Sequence, residues 1–564
     1  MAASLDAEVR ALAHHLAEAG HSHRSKVVES SWWSEQMLEW AMSHPSFKTQ
    51  LFRFVDVFPA TADDADVLRH LSEYFEGSDA PKLLDLGLEA AGHLPLGRAA
   101  AASLARRNIR RVAQQFIVGA DPQSAVERLE ALWRAGRAST VDLLGEKTLT
   151  EAEADRYAAR VSELLAVLSE HSRRWNPDER LEGDDLGPLP RANVSVKPTA
   201  LASRYAPLTA GEGLEQAKVR LRPILRQALA AGAFVHFDAE HYDVKDLTLA
   251  LFRELLTEPE LAEVETGVVV QAYTRDSYDD LSDLIAFSAA RPRPITVRLV
   301  KGAYWDTETV TARAAGWPVP VYARKEETDA NYERCTRLLH DHHGQVRAAF
   351  GTHNLRSLAY AVAYARSQGI PDHGYEIQLL YGMAEPIHRA VGRLGLRLRV
   401  YAPVGDLVPG MAYLVRRLLE NTANESFVRR RFVEGRELDE LLAPPDPELV
   451  LAGPGWRSSG DPVRPGDEAL ADVQPAPDRP GGSSAVRSGD YQPEPAAEWR
   501  DRSVRARFGQ AVERRVEQVA RQGSELVVPA IIGGRKGMTT ETIASGDPAE
   551  PSTVVALSPR GGPN

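Results

Sequence analysis

Polar and charged side chains recur at one end of successive strand-like segments of this sequence. They are Lys197, Asp238, Glu240, Gln271, Arg298, Lys301, Thr352, His353, Asn354, Gln378 and Tyr401. When strands run parallel, their carboxyl ends meet at one face, and parallel barrels carry their active sites at that face. A single polar residue at a strand end means little, but its repetition in segment after segment favours a functional site there.

The charges in this set indicate the chemistry of the ligand. The cationic members are Lys197, Arg298 and Lys301, joined by Arg416 and Arg417 in the stretch AYLVRRLLENTANESF beyond the last strand. The acidic residues nearby are Asp238, Glu240 and Glu420. A basic surplus suits an anionic group such as a carboxylate or a phosphate, which arginine can hold with two parallel hydrogen bonds. The pattern alone leaves open whether Arg416 and Arg417 face this ligand or lie on a solvated helix face.

The elements that must position these residues alternate between strands and helices from about residue 190 onward. The segments that read as strands are 193–199, 234–240, 266–273, 295–302, 346–353, 375–382 and 399–405. Their alternation with helical stretches predicts a parallel sheet, and the near-regular spacing favours a closed α/β barrel of the (β/α)8 TIM-like class. The pattern does not locate an eighth strand. No strand is followed by GxGxxG, the usual Rossmann signature.

The segment ITVRLVKGAYWD (295–306) shows how one of these strands carries charge. Its alternation places Ile295, Val297 and Leu299 on one face, toward the helices, and Arg298 on the other, toward the barrel interior. Because a buried charge without a partner is strongly destabilising, Arg298 requires a compensating group.

Residues 1 to about 180 read as helical almost throughout. The helical spacing is clearest in EVRALAHHLAEAG, AAASLARRNIRRVAQQFIVG, DPQSAVERLEALWRAG and TEAEADRYAARVSELLAVLSEH. Asp121 followed by Pro122 predicts one helix start, and Thr150 with Glu153 fits a capping box. We therefore expect an all-helical N-terminal region at 1–185 and a barrel at 186–435.

Composition argues against several classes of protein. The net charge of −12 argues against a nucleic-acid partner, and the 564 residues contain neither a secretory signal nor an apolar run of membrane-spanning length. Cys335, the single cysteine, lies at helical spacing with Tyr332 and Leu339, so we interpret it as a core thiol of a cytoplasmic protein. The histidines of HDHH (340–343) are interpreted as surface residues. No metal site is expected, because HExxH and CxxC motifs are absent.

A set of motifs occurs in a fixed order between about residues 190 and 430. They are SVKPTAL, DAE, VVQAY, VRLVKGAYWD, PVYARKEETD, THN, YEIQLLYGM, RVYAPVG and YLVRRLLEN. In combination they resemble the proline dehydrogenase domain of the bifunctional bacterial proline-utilisation flavoenzymes. The upstream helices resemble the arm and helical domain of that family more loosely.

The resemblance implies an FAD site at the carboxyl face of the barrel. The residues implied for the cofactor are Asp238, Ala239, Gln271, Arg298, Val300, Lys301, Gly302, Trp305, Thr352, His353 and Gln378. Arg298 is expected near the reactive ring, where a cation stabilises the reduced cofactor. The flavin, and not a protein carboxylate alone, would then compensate the charge of Arg298.

The resemblance also implies a binding site for the substrate. Lys197, Arg416 and Arg417 would clamp a carboxylate, and Tyr304, Leu380 and Tyr401 would form walls against an apolar ring. Asp238 would orient Tyr401 and Lys197, and Glu420 would support the arginine helix. The implied catalytic set is therefore Asp238, Arg298, Lys197 and Tyr401.

The implied reaction is the oxidation of L-proline to 1-pyrroline-5-carboxylate by hydride transfer to the flavin, the first step of proline catabolism to glutamate. The electrons would then pass to a membrane quinone. We therefore expect a cytoplasmic protein with peripheral contact at the inner face of the cell membrane. The sequence leaves the oligomeric state and the contact surface open.

The C-terminal part has a different character. Residues 436–500 are rich in Gly, Pro and Ser and read as a linker. Residues 501–564 begin with a short amphipathic helix and continue with IIGGRKGMTTETIASGDPAEPSTVVA, which resembles the opening of the NAD-dependent aldehyde dehydrogenase domain of the same family. That enzyme needs a nucleophilic cysteine, whereas Cys335 belongs to the barrel. A truncated second domain without aldehyde dehydrogenase activity is expected.

Two other functions remain open. A Schiff-base lyase or aldolase on the same barrel would use Lys197 or Lys301 as its nucleophile, and borohydride would trap the substrate on that lysine. A non-catalytic scaffold built on the helical region predicts no flavin and no proline-dependent dye reduction.

Overall fold

In a computed structural model of the chain, the described residues are 2–21, 44–75 with gaps, 116–145, 147–406, 438–451, 496–522 and 526–561 with gaps. The chain divides into two compact units, residues 1–493 and 494–564, and each is described by itself. No helix within the described ranges combines the length and the apolar character that crossing a bilayer requires.

The first unit is built on a closed barrel of eight parallel strands. In chain order they are β1 Arg137–Leu143, β2 Asn193–Val196, β3 Phe234–Phe237, β4 Thr266–Gln271, β5 Thr296–Val300, β6 Arg347–Gly351, β7 Glu376–Leu380 and β8 Leu398–Val404. Each strand pairs with its neighbours in the chain, and β1 closes the ring by pairing with both β2 and β8. The (β/α)8 TIM-like class and the seven strands read from the sequence are therefore confirmed.

Strand β1 corrects the sequence analysis. It is the strand that the sequence pattern did not locate. It lies inside the 1–185 region that we expected to be helical, ahead of the predicted barrel start at residue 186. The segment RASTVDL shows little apolar alternation, because Thr140 and Asp142 face the barrel interior and its buried apolar residues are only Ala138, Val141 and Leu143. The one local sign of a new element is Gly136, which lies between the preceding helix and β1 and has a φ of 70°.

Helices follow the strands along the chain. They are Ala210–Ala231, Lys245–Leu256, Ser277–Ala289, Trp305–Ala315, Lys325–Asp341, Leu355–Ser367 and Glu385–Arg393. Helices Ala2–His21, Asp64–Phe75, Pro122–Arg134 and Glu151–Ser172 belong to the N-terminal part. The described residues of the first unit also include the short helices Glu179–Glu182, Leu438–Leu441 and Glu448–Leu451. Most of the predicted helical stretch 100–119 and of the predicted linker lies outside the described residues.

Helix starts in the N-terminal part agree with the sequence signals. The Asp121 side chain accepts a hydrogen bond from the Ser124 backbone N–H at 2.9 Å, and Pro122 occupies the first helical position. Thr150 and Glu153 form the predicted capping box, with each side chain accepting from the backbone N–H of the other.

The main core lies between the strands and the surrounding helices. Val297 and Leu299 of β5 are fully buried in it, which confirms that they face away from Arg298. Cys335 is also fully buried there, and burial raises the pKa of its thiol to about 12, so its interpretation as a core thiol is confirmed. The surface interpretation of HDHH is wrong for His340, which packs against Phe350 and is 2% exposed because apolar rings surround it.

The second unit contains the predicted amphipathic helix, Arg502–Gln522. Strands Ala530–Ile532 and Arg535–Gly537 form an antiparallel hairpin, whose turn uses two glycines with positive φ, Gly533 and Gly534. Strands Leu526–Val527, Val554–Pro559 and Thr542–Gly546 form a separate three-stranded sheet.

Candidate active site

A network centred on Asp238 occupies the carboxyl half of the barrel interior. Asp238 directly follows β3 and is 7% exposed. Its Oδ1 accepts hydrogen bonds from Ser195 Oγ and from Arg298 Nη1, each at 2.8 Å, and its Oδ2 accepts from the Tyr401 hydroxyl at 2.7 Å. Lys197 Nζ lies 3.8 Å from the same Oδ2. The structure thus brings together the four residues of the predicted catalytic set.

Arg298 reaches across the barrel interior from β5. Its Nη2 lies 3.5 Å from Thr140 Oγ1 on β1, and its guanidinium carbon lies 5.4 Å from the centroid of the Tyr401 ring, within range of a cation–π interaction. Asp238 therefore supplies a protein carboxylate that compensates the Arg298 charge. The Nε of Arg298 is buried and has no hydrogen-bond partner within the described part of the chain.

Lys197 binds a carboxylate that the sequence analysis missed. Its Nζ donates a hydrogen bond to Asp142 Oδ1, on β1. Burial by itself would lower the pKa of Lys197, but the negative charge of Asp142, with further contributions from Tyr157 and Asp238, outweighs it and raises that pKa above its usual value. The raised pKa favours the ammonium form of Lys197, at the predicted substrate side of the barrel.

Lys301 and Gly302 follow β5 at the carboxyl face. Lys301 Nζ hydrogen-bonds to Asp329, which also binds Lys325. Burial lowers the pKa of Lys301 to about 8, although Asp329 opposes this shift. Gly302 has a φ of 130°, and a Cβ there would lie 2.4 Å from the Tyr273 ring, so the chain can pass this point only with glycine.

Other predicted cofactor residues lie at the ends of β3 to β6 or in the loops beyond, and several make contacts within the protein. Gln271 Nε2 donates to the Glu240 carbonyl at 2.9 Å, and Trp305 Nε1 donates to the Tyr322 carbonyl at 2.7 Å. His353 Nε2 accepts from the Leu380 backbone N–H at 3.2 Å. In the chain, Thr352 precedes His353, Val300 precedes Lys301, and Ala239 lies between Asp238 and Glu240. Gln271, Thr352 and His353 thus lie at or just beyond the carboxyl ends of their strands, as predicted, and Trp305 begins the helix that follows β5.

Gln378 has a different location from the rest. It lies two residues before the end of β7, and its Nε2 donates to Glu376 at 2.6 Å, toward the amino-terminal half of the barrel. Glu376 also accepts from Arg399 Nε at 2.9 Å. A small cavity at this end is lined by Gln378, His236 and Arg399. The contacts of Gln378 thus belong to a buried ion-pair layer below the Asp238 network.

The structure describes the residues predicted to form the walls of the substrate site, but not those predicted on the arginine helix. Tyr304 precedes helix Trp305–Ala315, and its ring lies 4.2 Å from the ring of His241. Leu380 is the last residue of β7 and is partly exposed, and Tyr401 lies in β8. Arg416, Arg417 and Glu420 lie outside the described residues. Their predicted roles stay predictions.

The described ranges contain one group of potential metal ligands. It consists of three carboxylates whose oxygens approach one another, those of Asp246, Asp276 and Asp280. The Lys245 ammonium lies among them, at 3.0, 2.7 and 2.5 Å. A cation of the protein itself therefore balances this acidic group.

Comparison with known proteins gives two family matches. Residues 125–430, more than half of the 564, match the family model described as proline dehydrogenase, and residues 6–116 match the proline utilization A N-terminal domain. The first match includes β1 and all the residues of the Asp238 network.

Individual relatives agree with these matches. The bifunctional protein PutA of Escherichia coli (strain K12) is 34% identical over 345 residues, which are 60% of this chain and 25% of that protein. The proline dehydrogenase of Deinococcus radiodurans is 29% identical over 332 residues, 59% of this chain and 93% of that protein. The chain thus spans about a quarter of the length of the bifunctional relatives it matches.

A solved structure resembles nearly the whole chain. Proline utilization A (PutA) from Bdellovibrio bacteriovorus, in a crystal structure of the enzyme inactivated by N-propargylglycine, matches with a TM-score of 0.81 and 35% identity. The match covers 99% of this chain and 52% of that chain.

Proposed function

The chain belongs to the proline dehydrogenase family, and we propose that it catalyses the FAD-dependent oxidation of L-proline to 1-pyrroline-5-carboxylate. The observation that carries the proposal is the buried network in which Asp238 holds both Arg298 and Tyr401 beside Lys197. This network places two fixed cations at the face where parallel barrels bind their ligands. The reaction removes a hydride from the ring carbon next to nitrogen and a proton from the nitrogen.

The donors of the upper barrel fit an FAD. Two cationic groups, Arg298 and Lys301, suit a cofactor that carries phosphates and becomes anionic on reduction. The buried Nε of Arg298, which has no partner in the described ranges, is a donor still available to a ligand. When bound, FAD supplies the hydride acceptor that the oxidation requires. Gln271, Lys301, Trp305, Thr352 and His353 would help to hold it, together with Asp238, Ala239, Val300 and Gly302.

The residues of the chain supply orientation and charge. Arg298 is already fixed by Asp238, so its positive charge needs no rearrangement to stabilise negative charge at the reacting centre. Lys197, with Arg416 and Arg417, would hold the carboxylate of proline and so orient its ring. Tyr401, whose hydroxyl is fixed by Asp238, would form one wall with Tyr304 and Leu380.

The direct test is anaerobic addition of L-proline to the flavin-loaded protein while its visible absorbance is recorded. We expect the flavin band to bleach with L-proline and to persist with D-proline as the control. A flavin-loaded sample that does not bleach with L-proline would refute the proposal. Arg416→Met and Arg417→Met should weaken proline binding while FAD stays bound, and loss of FAD instead would contradict the assigned roles.

The shape of the site also bears on selectivity. Tyr401 would crowd a hydroxyl group on the substrate ring, so we expect L-proline to be oxidised faster than hydroxyproline. Equal kcat/KM values for the two would contradict this placement of Tyr401.

We further propose that the reduced enzyme passes its electrons to a membrane quinone through peripheral contact with the bilayer. Proline-dependent reduction of a short-chain quinone, and sedimentation with lipid vesicles, would support this step. Reoxidation that is unaffected by quinone would count against it.

One observation keeps the Schiff-base alternative in view. A lysine whose pKa is near 8 carries a usable fraction of free amine, and the pKa of Lys301 is lowered to about 8 by burial. Lys197 does not share this property, because its pKa is raised. Borohydride treatment in the presence of a carbonyl substrate, followed by mass spectrometry of the Lys301 peptide, tests this alternative.

A further inference from the structure

Asp142 is a charged residue of the barrel interior to which neither the motifs nor the resemblance gave a role. It is the sixth residue of β1, and its side chain is 1% exposed. Its Oδ1 accepts a hydrogen bond from Lys197 Nζ. A carboxylate buried to this degree is retained only with a strong partner, and Lys197 is that partner.

Lys197 lies between two carboxylates that have different contacts. Asp238 is engaged by Ser195, Arg298 and Tyr401, and its Oδ2 remains 3.8 Å from Lys197. Asp142 is engaged by Lys197 through Oδ1, and its Oδ2 has no hydrogen-bond partner within the described ranges. Asp142, rather than Asp238, therefore determines where the Lys197 ammonium sits.

Building on the proposed function, we propose that Asp142 is a positioning residue that fixes the Lys197 ammonium for the substrate carboxylate. By holding Lys197, it also leaves Asp238 free to serve Arg298 and Tyr401. Within the described part of the site, Asp142 thus pairs with Lys197 while Asp238 pairs with Arg298.

The surroundings of Lys197 show why its charge depends on Asp142. Among the described residues, the titratable groups that face it are Asp142 on β1, Tyr157 on helix Glu151–Ser172, and Asp238 and Glu240 after β3. Burial opposes the charge of Lys197, and the attraction of Asp142 is the largest effect that supports it. Without this carboxylate, the pKa of Lys197 should fall, and its ammonium should shift toward Asp238 and compete with the Tyr401 hydroxyl.

The test compares Asp142→Asn, Lys197→Met and the double variant with the flavin-loaded wild type. We expect Asp142→Asn to keep its FAD, to raise the KM for proline roughly tenfold or more, and to move the alkaline limb of kcat/KM down by about one pH unit. The double variant should be no worse than Lys197→Met, because Asp142 acts through Lys197. Asp155→Asn, a change at an exposed carboxylate, is the matched control.

Reductive methylation of Lys197, followed by mass spectrometry over a pH range, reports on its charge without any turnover. We expect Lys197 to be labelled at lower pH in Asp142→Asn than in the wild type. Asp142→Glu keeps the charge one methylene farther along, so it should retain the wild-type labelling profile but raise the KM. It also provides the test if Asp142→Asn does not fold.

The outcomes separate this inference from the proposed function. If the wild type oxidises proline and Asp142→Asn has the same KM and pH profile as the wild type, the positioning role alone is overturned. A wild type that does not bleach with proline overturns the proposed function, and the labelling then decides the Asp142–Lys197 link. Unchanged Lys197 labelling in Asp142→Asn overturns that link in either case.

Discussion

The carboxylate of Asp238 stabilises two buried groups at once, so its neutralisation should have a large and measurable cost. Its side chain is 10% exposed and that of Arg298 is 6% exposed, with 2.8 Å between their paired atoms. Removing one partner of a buried ion pair costs about 3–5 kcal/mol, because the remaining charge stays buried without compensation. Asp238→Asn keeps the size of the side chain and removes its charge, so we expect a cost in this range.

Urea unfolding without added FAD, followed by circular dichroism, measures this cost. With a slope of about 3 kcal/mol per molar urea, the midpoint of the barrel transition should fall by about 1–1.7 M. Asp155→Asn is the control, because Asp155 is 68% exposed and its pair with Arg220 should contribute less than about 1 kcal/mol. Adding Arg298→Met to Asp238→Asn should cost less than the sum of the two single changes, since the buried charge is then gone.

A midpoint that Asp238→Asn moves no further than Asp155→Asn does would contradict this expected cost. Such a result would mean that water or a rearranged neighbour compensates Arg298 as well as the carboxylate does. Additive effects of Asp238→Asn and Arg298→Met would likewise show that the two residues do not stabilise each other.

The remaining predictions concern three residues, Lys301, Gly302 and Cys335. Burial lowers the pKa of Lys301 to about 8 from 10.5, so the folded chain loses this charge as pH rises through about 8. The dissociation constant of FAD, measured by fluorescence titration, should therefore rise by up to roughly tenfold per pH unit in the wild type. In Lys301→Met it should not change with pH. Over the same window the free energy of unfolding of the FAD-free chain should rise, because the unfolded chain binds the extra proton; a fall would contradict the shift. Gly302→Ala should abolish FAD binding through its clash with Tyr273, whereas Gly316→Ala, with a φ of 69° and open space around it, should leave FAD titration unchanged; equal effects would contradict the clash. Cys335 should resist thiol reagents until urea unfolds the chain, because burial raises its pKa to about 12; rapid labelling of the folded protein would refute this.

The sequence by itself determined seven of the eight barrel strands and the polar residues at their carboxyl ends. Period-two alternation is a local property, so it located seven strands and oriented Arg298 inward without any knowledge of its neighbours. Caps at Asp121 and Thr150 are local in the same way, because a side chain satisfies a backbone N–H only three residues away.

Only the tertiary structure decided which of these residues meet. Tyr401 and Asp238 are 163 residues apart in sequence, and Lys197 and Asp142 are 55 apart, so closure of the barrel is what makes them partners. Strand β1 escaped the pattern because its inward side chains are polar, which weakens the signal wherever a strand faces a site. Burial, which raises the pKa of Cys335 and lowers that of Lys301, likewise depends on packing that no single segment contains.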